Sequence, residues 1–285
     1  MNSDGRSYAD FIADGQRSCA VIAHRGIWRD APENSLLAIE RAMSAGADGV
    51  EIDVKRTADG EFVLLHDDTL ERMAGIDQPP EALELATISR LKLRNRDGGA
   101  GNGPTDENLP TLIDFFSLIR GKIFVHLDVK DRNLIPEVMA CARKMGVQDQ
   151  VDYWSDLRTQ QDLLWVRRFI DPRNTLFIAK TRLNTPDAEE QLRLLFQLSP
   201  QLCEVYFDDL HQIGDLARKC ESAEIKLWYN TLDSVSCAGF SDSAALEDPE
   251  NIWGRLIDAG ISVIQTDETE ALKTFIANRD RGHAV

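Results

Sequence analysis

Short apolar runs alternate along most of the chain with longer segments in which apolar residues recur every three or four positions. The short runs predict strands, whereas segments such as NSLLAIERAMSAG at 34–46 and NIWGRLIDAG at 251–260 predict helices that end at glycine. This alternation predicts an α/β fold with a mostly parallel sheet covered by helices. The predicted strands are 20–24, 49–54, 62–66, 123–129, 151–154, 176–179, 204–207, 225–229 and 262–266.

This count is one strand too many for a (β/α)8 barrel. The surplus lies in EIDVKRTADGEFVLLHD, where two strand-like runs are joined through ADG with no room for a helix. Parallel strands need a crossover of about a dozen residues, so we predict an antiparallel hairpin here. The other strands then form a TIM (β/α)8 barrel. Folding back at ADG would bring His66 beside Ile52 and Asp53.

The first strand ends in HRG, which displays His24 and Arg25 where the strand stops. Taken alone, this pair also fits a core histidine beside a solvated arginine. In a (β/α)8 barrel, however, catalytic groups gather at the carboxyl ends of the strands. Together with the hairpin, this predicts that both residues converge on one mouth with Glu51, Asp53 and His66.

Carboxylates are the second feature of these strand ends. Glu51 and Asp53 are two positions apart and therefore share a face of their strand, where they would repel unless one is protonated or a cation lies between them. A salt bridge to Arg25 is the structural alternative. The later run KIFVHLDVK adds Asp128 and Lys130 on one face. Three carboxylates suit Mg²⁺ or Ca²⁺ better than zinc, so the sequence predicts one divalent cation.

The formal net charge of −16 argues against nucleic acid or an anionic membrane surface as the main partner. We find neither a secretion signal nor a segment long enough to span a membrane, so we expect a cytoplasmic protein without stable membrane insertion. The alternation of strands and helices predicts a single domain over 1–285. The polar stretch at 67–108 interrupts that pattern and predicts a small insertion over the active-site mouth.

Several motifs occur in the order that is usual for the glycerophosphodiester phosphodiesterase family. They are HRG, PENS six residues later, GADGVEIDVKRTADGEFVLLHDDTLER, an acidic-x-Lys, LWYN and GISVIQTD. The long block from His24 to Arg72 is highly specific, and together the motifs span nearly the whole chain. The chain therefore resembles this family. The resemblance implies a TIM barrel, a divalent metal, and hydrolysis of small-molecule glycerophosphodiesters to sn-glycerol 3-phosphate and an alcohol.

The resemblance also implies roles for individual residues. In the implied mechanism, the 2-hydroxyl of glycerol attacks phosphorus to give a cyclic phosphate, which water then opens. The histidines exchange protons, the cationic side chains bind phosphate, and the carboxylates hold the metal. These positions are His24 and His66 for acid/base catalysis, Arg25 and Lys130 for phosphate, and Glu51, Asp53 and Asp128 for the metal.

Two departures from the family pattern bear on the substrate. Asp128 stands where glutamate is usual, and an Asp-x-Lys here also resembles the sphingomyelinase D group. TDET replaces the usual TDRP, so Glu268 stands in place of arginine. The alternatives are therefore a sphingomyelinase D or lysophospholipase D activity and hydrolysis of a sugar or inositol phosphodiester. A binding protein with a decayed barrel is an alternative of a different class, and the intact His24, His66, Glu51, Asp53 and Lys130 argue against it.

Other residues are candidates for a substrate pocket or for structural roles. Asn34, directly before an apolar-periodic run, is predicted to be a helix N-cap. Trp228 would either contact substrate or fill the barrel. The candidate pocket residues are Trp228, Asn230, Lys180 and Asp208.

Overall fold

The computed structural model of the chain describes residues 5–170 and 175–283. Short 3₁₀ turns lie at Pro80–Ala82 and Arg132–Leu134, and a π-helical turn lies at Glu250–Gly254. The strands are β1 (Ala20–His24), β2 (Gly49–Arg56), β3 (Phe62–Leu64), β4 (Lys92–Arg94), β5 (Pro104–Asn108), β6 (Phe124–Asp128), β7 (Val151–Asp156), β8 (Leu176–Arg182), β9 (Leu202–Tyr206), β10 (Lys226–Asn230) and β11 (Ile261–Thr266). The α-helices are α1 (Tyr8–Ala13), α2 (Leu36–Ser44), α3 (Glu71–Ala74), α4 (Leu85–Ile88), α5 (Leu112–Ile119), α6 (Ile135–Met145), α7 (Gln160–Phe169), α8 (Ala188–Leu198), α9 (Leu210–Ser222), α10 (Asp242–Glu247), α11 (Arg255–Asp258) and α12 (Thr269–His283).

The parallel strands form a closed (β/α)8 barrel. The strand order is β1-β11-β10-β9-β8-β7-β6-β2-β3, and β1 also pairs with β2. The TIM barrel predicted from the sequence is confirmed, and each predicted strand is present with small differences at its ends. By its internal contacts the chain divides into two compact units. The first unit contains Ala23–Val151, and the second contains Arg6–Ile22 and the residues from Asp152 onward.

The hairpin that was predicted from ADG is confirmed. Strands β2 and β3 pair antiparallel, with Val54 opposite Leu64. The Leu65 N–H then donates to the Asp53 carbonyl at 3.1 Å, so His66 follows beside Ile52 and Asp53, as predicted. Strand β3 ends at Leu64, two residues earlier than predicted, because the Asp53 N–H donates to the Asn34 side chain instead of returning a bond to Leu65.

Polar residues fix where several helices begin. The Ser35 hydroxyl accepts the Ala38 N–H at 3.1 Å and caps α2, which buries Ala38, Ile39 and Ala42. The predicted N-cap at Asn34 is therefore wrong by one residue. Asn34 has a positive φ of 58° and directs its side chain to a strand instead of the helix. Helices α5, α7 and α9 begin with capping boxes, formed by Thr111 with Asp114, Thr159 with Asp162 and Asp209 with Gln212.

The predicted insertion at 67–108 has a small core and sheet of its own in the first unit. It contains α3, α4 and the antiparallel pair β4 and β5. The two-stranded sheet was not predicted, because its strands PTDEN and KLR are polar and lack the apolar alternation of a buried strand. Its position over the mouth of the barrel stays a prediction. The buried cluster beneath it consists of Val63, Leu65, Leu70, Met73, Ile88, Leu93 and Leu109.

The second unit contains the parallel strands β7 to β11 in sequential order. Their apolar side chains, such as Phe177, Ile178 and Ile264, are completely buried. Among the residues that the structure describes in either unit, no helix combines the length and apolar character needed to cross a membrane.

Candidate active site

Three carboxylates meet in the first unit where the parallel pairing of β2 with β6 ends. Strands β2 and β6 pair in parallel register with Asp53 beside Asp128, and Glu51 lies two positions earlier on the face that it shares with Asp53. One oxygen from each of Glu51, Asp53 and Asp128 lies within 4.8 Å of the other two. Glu51 and Asp53 are buried. We name these residues the acidic triad.

Two cationic side chains compensate part of this negative charge. Lys130 Nζ lies 2.9 Å from Asp53 Oδ1 and 3.6 Å from Asp128 Oδ2, and Arg25 Nε lies 3.1 Å from Asp53 Oδ2. Burial raises the pKa of Asp53, but attraction to Arg25 and Lys130 outweighs it and holds this pKa well below its usual range. Burial, followed by repulsion from Asp53 and Asp128, instead raises the pKa of Glu51 well above its usual range. The ionised form is therefore favoured at Asp53 and disfavoured at Glu51.

The HRG motif shapes the turn that follows β1. Arg25 has a φ of 54° and Gly26 a φ of 83°, and a Cβ on Gly26 would lie only 2.7 Å from backbone atoms of Ala38 in α2. Glycine is therefore required where the turn packs on the helix. The turn directs the Arg25 N–H to Glu51 Oε2 at 3.1 Å and leaves His24 Nε2 3.9 Å from the same oxygen.

Asn34 contacts the acidic triad directly, a position that the sequence analysis missed. Its Nδ2 donates to Asp53 Oδ2 at 2.9 Å, and its Oδ1 accepts the Asp53 N–H at 3.2 Å. This amide therefore fixes both the backbone and the carboxylate of Asp53. The sequence signal for this contact is PEN shortly after HRG, but an asparagine directly before a predicted helix also indicates an N-cap.

His66 lies in a chain of charged groups that joins the hairpin to Arg25. Its Nδ1 is 2.8 Å from Asp67 Oδ1, Arg72 donates to Asp67 and to the buried Glu33, and Arg25 Nη1 donates to Glu33 Oε1 at 3.1 Å. Glu33, Asp67 and Arg72 were not assigned to the site from the sequence, because their spacing alone does not indicate contact.

Three of the four candidate pocket residues gather in the second unit around Glu204, which is buried. Lys180 Nζ lies 3.3 Å from Glu204 Oε2, while Tyr206 and Asn230 donate to Glu204 Oε1 at 2.7 and 3.1 Å. We name this the Glu204 group. Trp228 is completely buried and donates to Asn230 Oδ1 at 2.6 Å. Asp208 is exposed after β9, outside this group, and its N–H donates to Gln212.

The donor set of the acidic triad suits a hard divalent cation. All three side chains offer carboxylate oxygens, and a cation of two positive charges would relieve the repulsion that opposes the charge of Glu51. Lys130 and Arg25 would remain available beside it for a phosphate oxygen. The first unit thus combines a cation site, fixed positive charges and histidines that can exchange protons.

Family models match most of the chain. A model of the glycerophosphoryl diester phosphodiesterase family matches residues 24–197, and a model of a domain of unknown function matches residues 177–276. The glycerophosphodiester phosphodiesterase of Caldanaerobacter subterraneus subsp. tengcongensis is 40% identical over 111 residues, 39% of this chain and 44% of that protein. Glycerophosphodiester phosphodiesterase 1 of Homo sapiens is 37% identical over 114 residues, 39% of this chain and 34% of that protein. The chain thus matches less than half the length of either relative.

Solved structures share the fold over almost the whole chain. A glycerophosphoryl diester phosphodiesterase from Parabacteroides distasonis has a TM-score of 0.76 at 19% identity, covering 96% of this chain and 93% of that one. A phosphodiesterase from Oleispira antarctica, solved in complex with the product sn-glycerol-3-phosphate, has a TM-score of 0.64 at 22% identity, covering 90% and 96%. At these identities the likeness shows the fold alone.

Proposed function

Since the chain belongs to the glycerophosphoryl diester phosphodiesterase family, we propose that it hydrolyses glycerophosphodiesters to sn-glycerol 3-phosphate and an alcohol. The single observation that carries this proposal is the acidic triad bordered by Arg25 and Lys130. A phosphodiester is a singly charged anion, and a divalent cation with two fixed positive side chains would offset its charge as well as that of the carboxylates. The Oleispira antarctica phosphodiesterase was solved with the product sn-glycerol-3-phosphate, which supports the proposal that one half of the substrate is a glycerol phosphate.

We propose that Glu51, Asp53 and Asp128 hold one divalent cation, Mg²⁺ or Ca²⁺. When bound, such a cation supplies Lewis-acid polarisation of a phosphoryl oxygen and lowers the pKa of a hydroxyl group. Asn34 supports the site by holding the Asp53 carboxylate through Nδ2. Arg25 and Lys130 are assigned to the non-bridging phosphate oxygens, because both present N–H donors beside the triad.

In the first step that we propose, the glycerol 2-hydroxyl attacks phosphorus and the alcohol leaves. One histidine removes the hydroxyl proton and the other protonates the departing oxygen. His66 would exchange its proton at Nε2, because Nδ1 faces Asp67. The product of this step is a cyclic 1,2-phosphate, which water opens with the histidine roles reversed. The assignment of acid and base between His24 and His66 stays open.

A panel of glycerophosphodiesters tests the reaction. Glycerol 3-phosphate is measured by a coupled assay, with the protein first treated with chelator and then supplied with Mg²⁺ or Ca²⁺. We expect metal-dependent release from at least one member among choline, ethanolamine, inositol and glycerol esters. Failure of every member, with either metal, would contradict the proposed function.

A 2-deoxy substrate tests the nucleophile. The attached hydroxyl avoids the entropy cost of capturing water, an advantage that can reach roughly 7–11 kcal/mol in well-oriented intramolecular reactions. The intact substrate should therefore react much faster than its 2-deoxy analogue at saturating metal, and ³¹P spectroscopy on a slow variant should detect the cyclic phosphate. Equal rates for the two substrates would require a water nucleophile instead.

A phospholipase D-like activity is the second candidate, because Asp128 and Lys130 form the Asp-x-Lys that resembles the sphingomyelinase D group. Sphingomyelin and a lysophospholipid therefore belong in the substrate panel, as does a sugar phosphodiester. We propose 67–108 as an insertion in one catalytic domain. The cytoplasmic location and the absence of a nucleic-acid partner stay predictions.

A further inference from the structure

Arg72 lies at the centre of a branched set of ion pairs in the first unit. Its Nε donates to Asp67 Oδ2 at 2.6 Å and its Nη2 to Asp67 Oδ1 at 2.8 Å, which is a two-pronged contact. The same Nη2 donates to Glu33 Oε1 at 2.6 Å. One guanidinium therefore binds two carboxylates that belong to different segments.

Each of these carboxylates contacts a residue of the proposed catalytic machinery. Asp67 Oδ1 lies 2.8 Å from His66 Nδ1, and the two oxygens of Glu33 accept from Arg25 Nη1 at 3.1 and 3.2 Å. Glu33 is only 3% exposed, so its charge needs both arginines as partners. Displacement of Arg72 would consequently disturb the proton carrier and the phosphate-binding cation together.

The loop at 97–99 of the insertion packs closely against Arg72. Its Nη1 donates to the Asp97 carbonyl, and the Gly99 N–H donates to the Arg72 carbonyl at 2.7 Å. Gly98 has a φ of 72°, and a Cβ there would lie 2.5 Å from the Arg72 carbonyl oxygen. The loop at 97–99 can therefore approach this backbone only with glycine. This packing holds the guanidinium in one position.

We propose that Arg72 and Asp67 are positioning residues: Asp67 fixes His66 with its proton on Nδ1, and Arg72 fixes Asp67 and, through Glu33, Arg25. The catalytic part of this inference rests on the proposed phosphodiesterase function, whereas the state of the His66 ring does not. The insertion thereby completes the site through Arg72.

The chemistry of the contact determines the tautomer. Burial raises the pKa of Asp67, but hydrogen bonds from Arg72 and His66 outweigh it and lower the pKa to about 2. An ionised carboxylate only accepts hydrogen bonds, so Nδ1 must carry the hydrogen and Nε2 is left free to exchange a proton. Asp67 Oδ1 accepts from Arg72 Nη2 as well as from His66 Nδ1. Alanine at position 67 would remove this acceptor, so the hydrogen would no longer be held on Nδ1.

Nitrogen chemical shifts of the His66 ring test this directly, without reference to activity. The full chain is labelled with ¹⁵N-histidine and measured at about pH 8, where histidines are ordinarily neutral. A His66→Gln spectrum assigns the signal. We expect Nδ1–H in the wild type, and loss of this preference, seen as a shift toward Nε2–H, in Asp67→Ala and in part in Arg72→Ala. An Nε2–H wild type, or an unchanged Nδ1–H signal in Asp67→Ala, would overturn the proposal.

Kinetics on the glycerophosphodiester that the panel identifies provide the second test. Loss of such an outer partner ordinarily reduces activity roughly 10- to 100-fold. Asp67→Ala should lower kcat with KM nearly unchanged, Glu33→Gln should chiefly raise KM, and Arg72→Ala should do both. The control is Arg94→Ala in β4, because Arg94 donates to the Glu71 carbonyl of α3 and contacts neither carboxylate.

The outcomes separate the two proposals. A wild type that cleaves no substrate but shows the expected tautomer change refutes the proposed function and leaves the ring assignment standing. Full activity in Asp67→Ala and Arg72→Ala, or an equal loss in Arg94→Ala, would overturn the positioning role.

Discussion

The acidic triad and the Glu204 group both contain buried carboxylates, but their charge balance differs. The triad places three carboxylates within 4.8 Å, and its nearest cationic side chains are Arg25 and Lys130. Glu204 is a single carboxylate with Lys180 on one oxygen and two neutral donors on the other. The Glu204 group is complete within the protein. The triad has one more carboxylate than cationic partners, and the raised pKa of Glu51 reflects the repulsion that results, which indicates a place for a cation.

Metal removal should have the largest effect, and it should distinguish the two groups. Chelation is expected to abolish turnover, and Glu51→Gln to lower the affinity for Mg²⁺ or Ca²⁺ while the circular dichroism of the fold is retained. Removal of one charged oxygen ligand weakens binding to a hard cation. Calorimetric titration with each metal measures the affinity.

Glu204→Gln is the matched control for this prediction. The substitution removes a buried carboxylate of the same size from the balanced group, so metal affinity should stay unchanged. A metal-free protein, verified by elemental analysis, that retains full activity would contradict the cation site. Equal loss of affinity in the two variants would contradict the difference between the groups.

The fold and the triad were predictable because both depend on local sequence patterns. Alternating apolar runs indicated the strands, ADG indicated the hairpin, and two-residue spacing placed Glu51 with Asp53. Asn34 was misassigned because the positive φ that turns it away from the helix depends on tertiary packing. Sequence spacing gives no measure of such strain.

The contacts of the insertion could not be predicted for a related reason. Arg72 and Glu33 are far apart in sequence, and their ion pair depends on how α3 packs beneath the loop at 97–99. The polar residues of β4 and β5 also give no burial pattern from which a sheet could be inferred.

The histidines should have the next largest effect. His24→Ala and His66→Ala are each expected to lower kcat by roughly 10² to 10⁴, the usual contribution of a positioned acid or base. A substrate with a good leaving group needs little protonation and should rescue only the variant that lacks the acid. This would also assign the two roles.

His211→Ala controls for the loss of an imidazole ring. His211 is exposed in α9 of the second unit, and its variant should keep wild-type kinetics. Equal rescue of both active-site variants by the better leaving group would contradict separate acid and base roles.

The smallest effects concern stability, and here the two groups should respond in opposite directions. Lys180→Met leaves the buried Glu204 charge without its cation, and loss of one partner from a buried pair costs roughly 3–5 kcal/mol. The low end applies, because Tyr206 and Asn230 still donate to this carboxylate. Glu51→Gln in the chelated protein instead removes repulsion between carboxylates and should leave the free energy of unfolding unchanged or raised.

Urea unfolding in the presence of chelator measures both variants, and a double substitution tests the cause. Each of the two substitutions alone removes a polar contact. If an uncompensated charge is what destabilises Lys180→Met, adding Glu204→Gln removes that charge and should restore part of the lost stability. Without such recovery, the loss would stem from the cation–π contact of the Lys180 ammonium with Trp154, whose ring centre lies 4.0 Å from Nζ. A large destabilisation by Glu51→Gln would show that the triad is balanced without a cation, and the contrast with the Glu204 group would then fail.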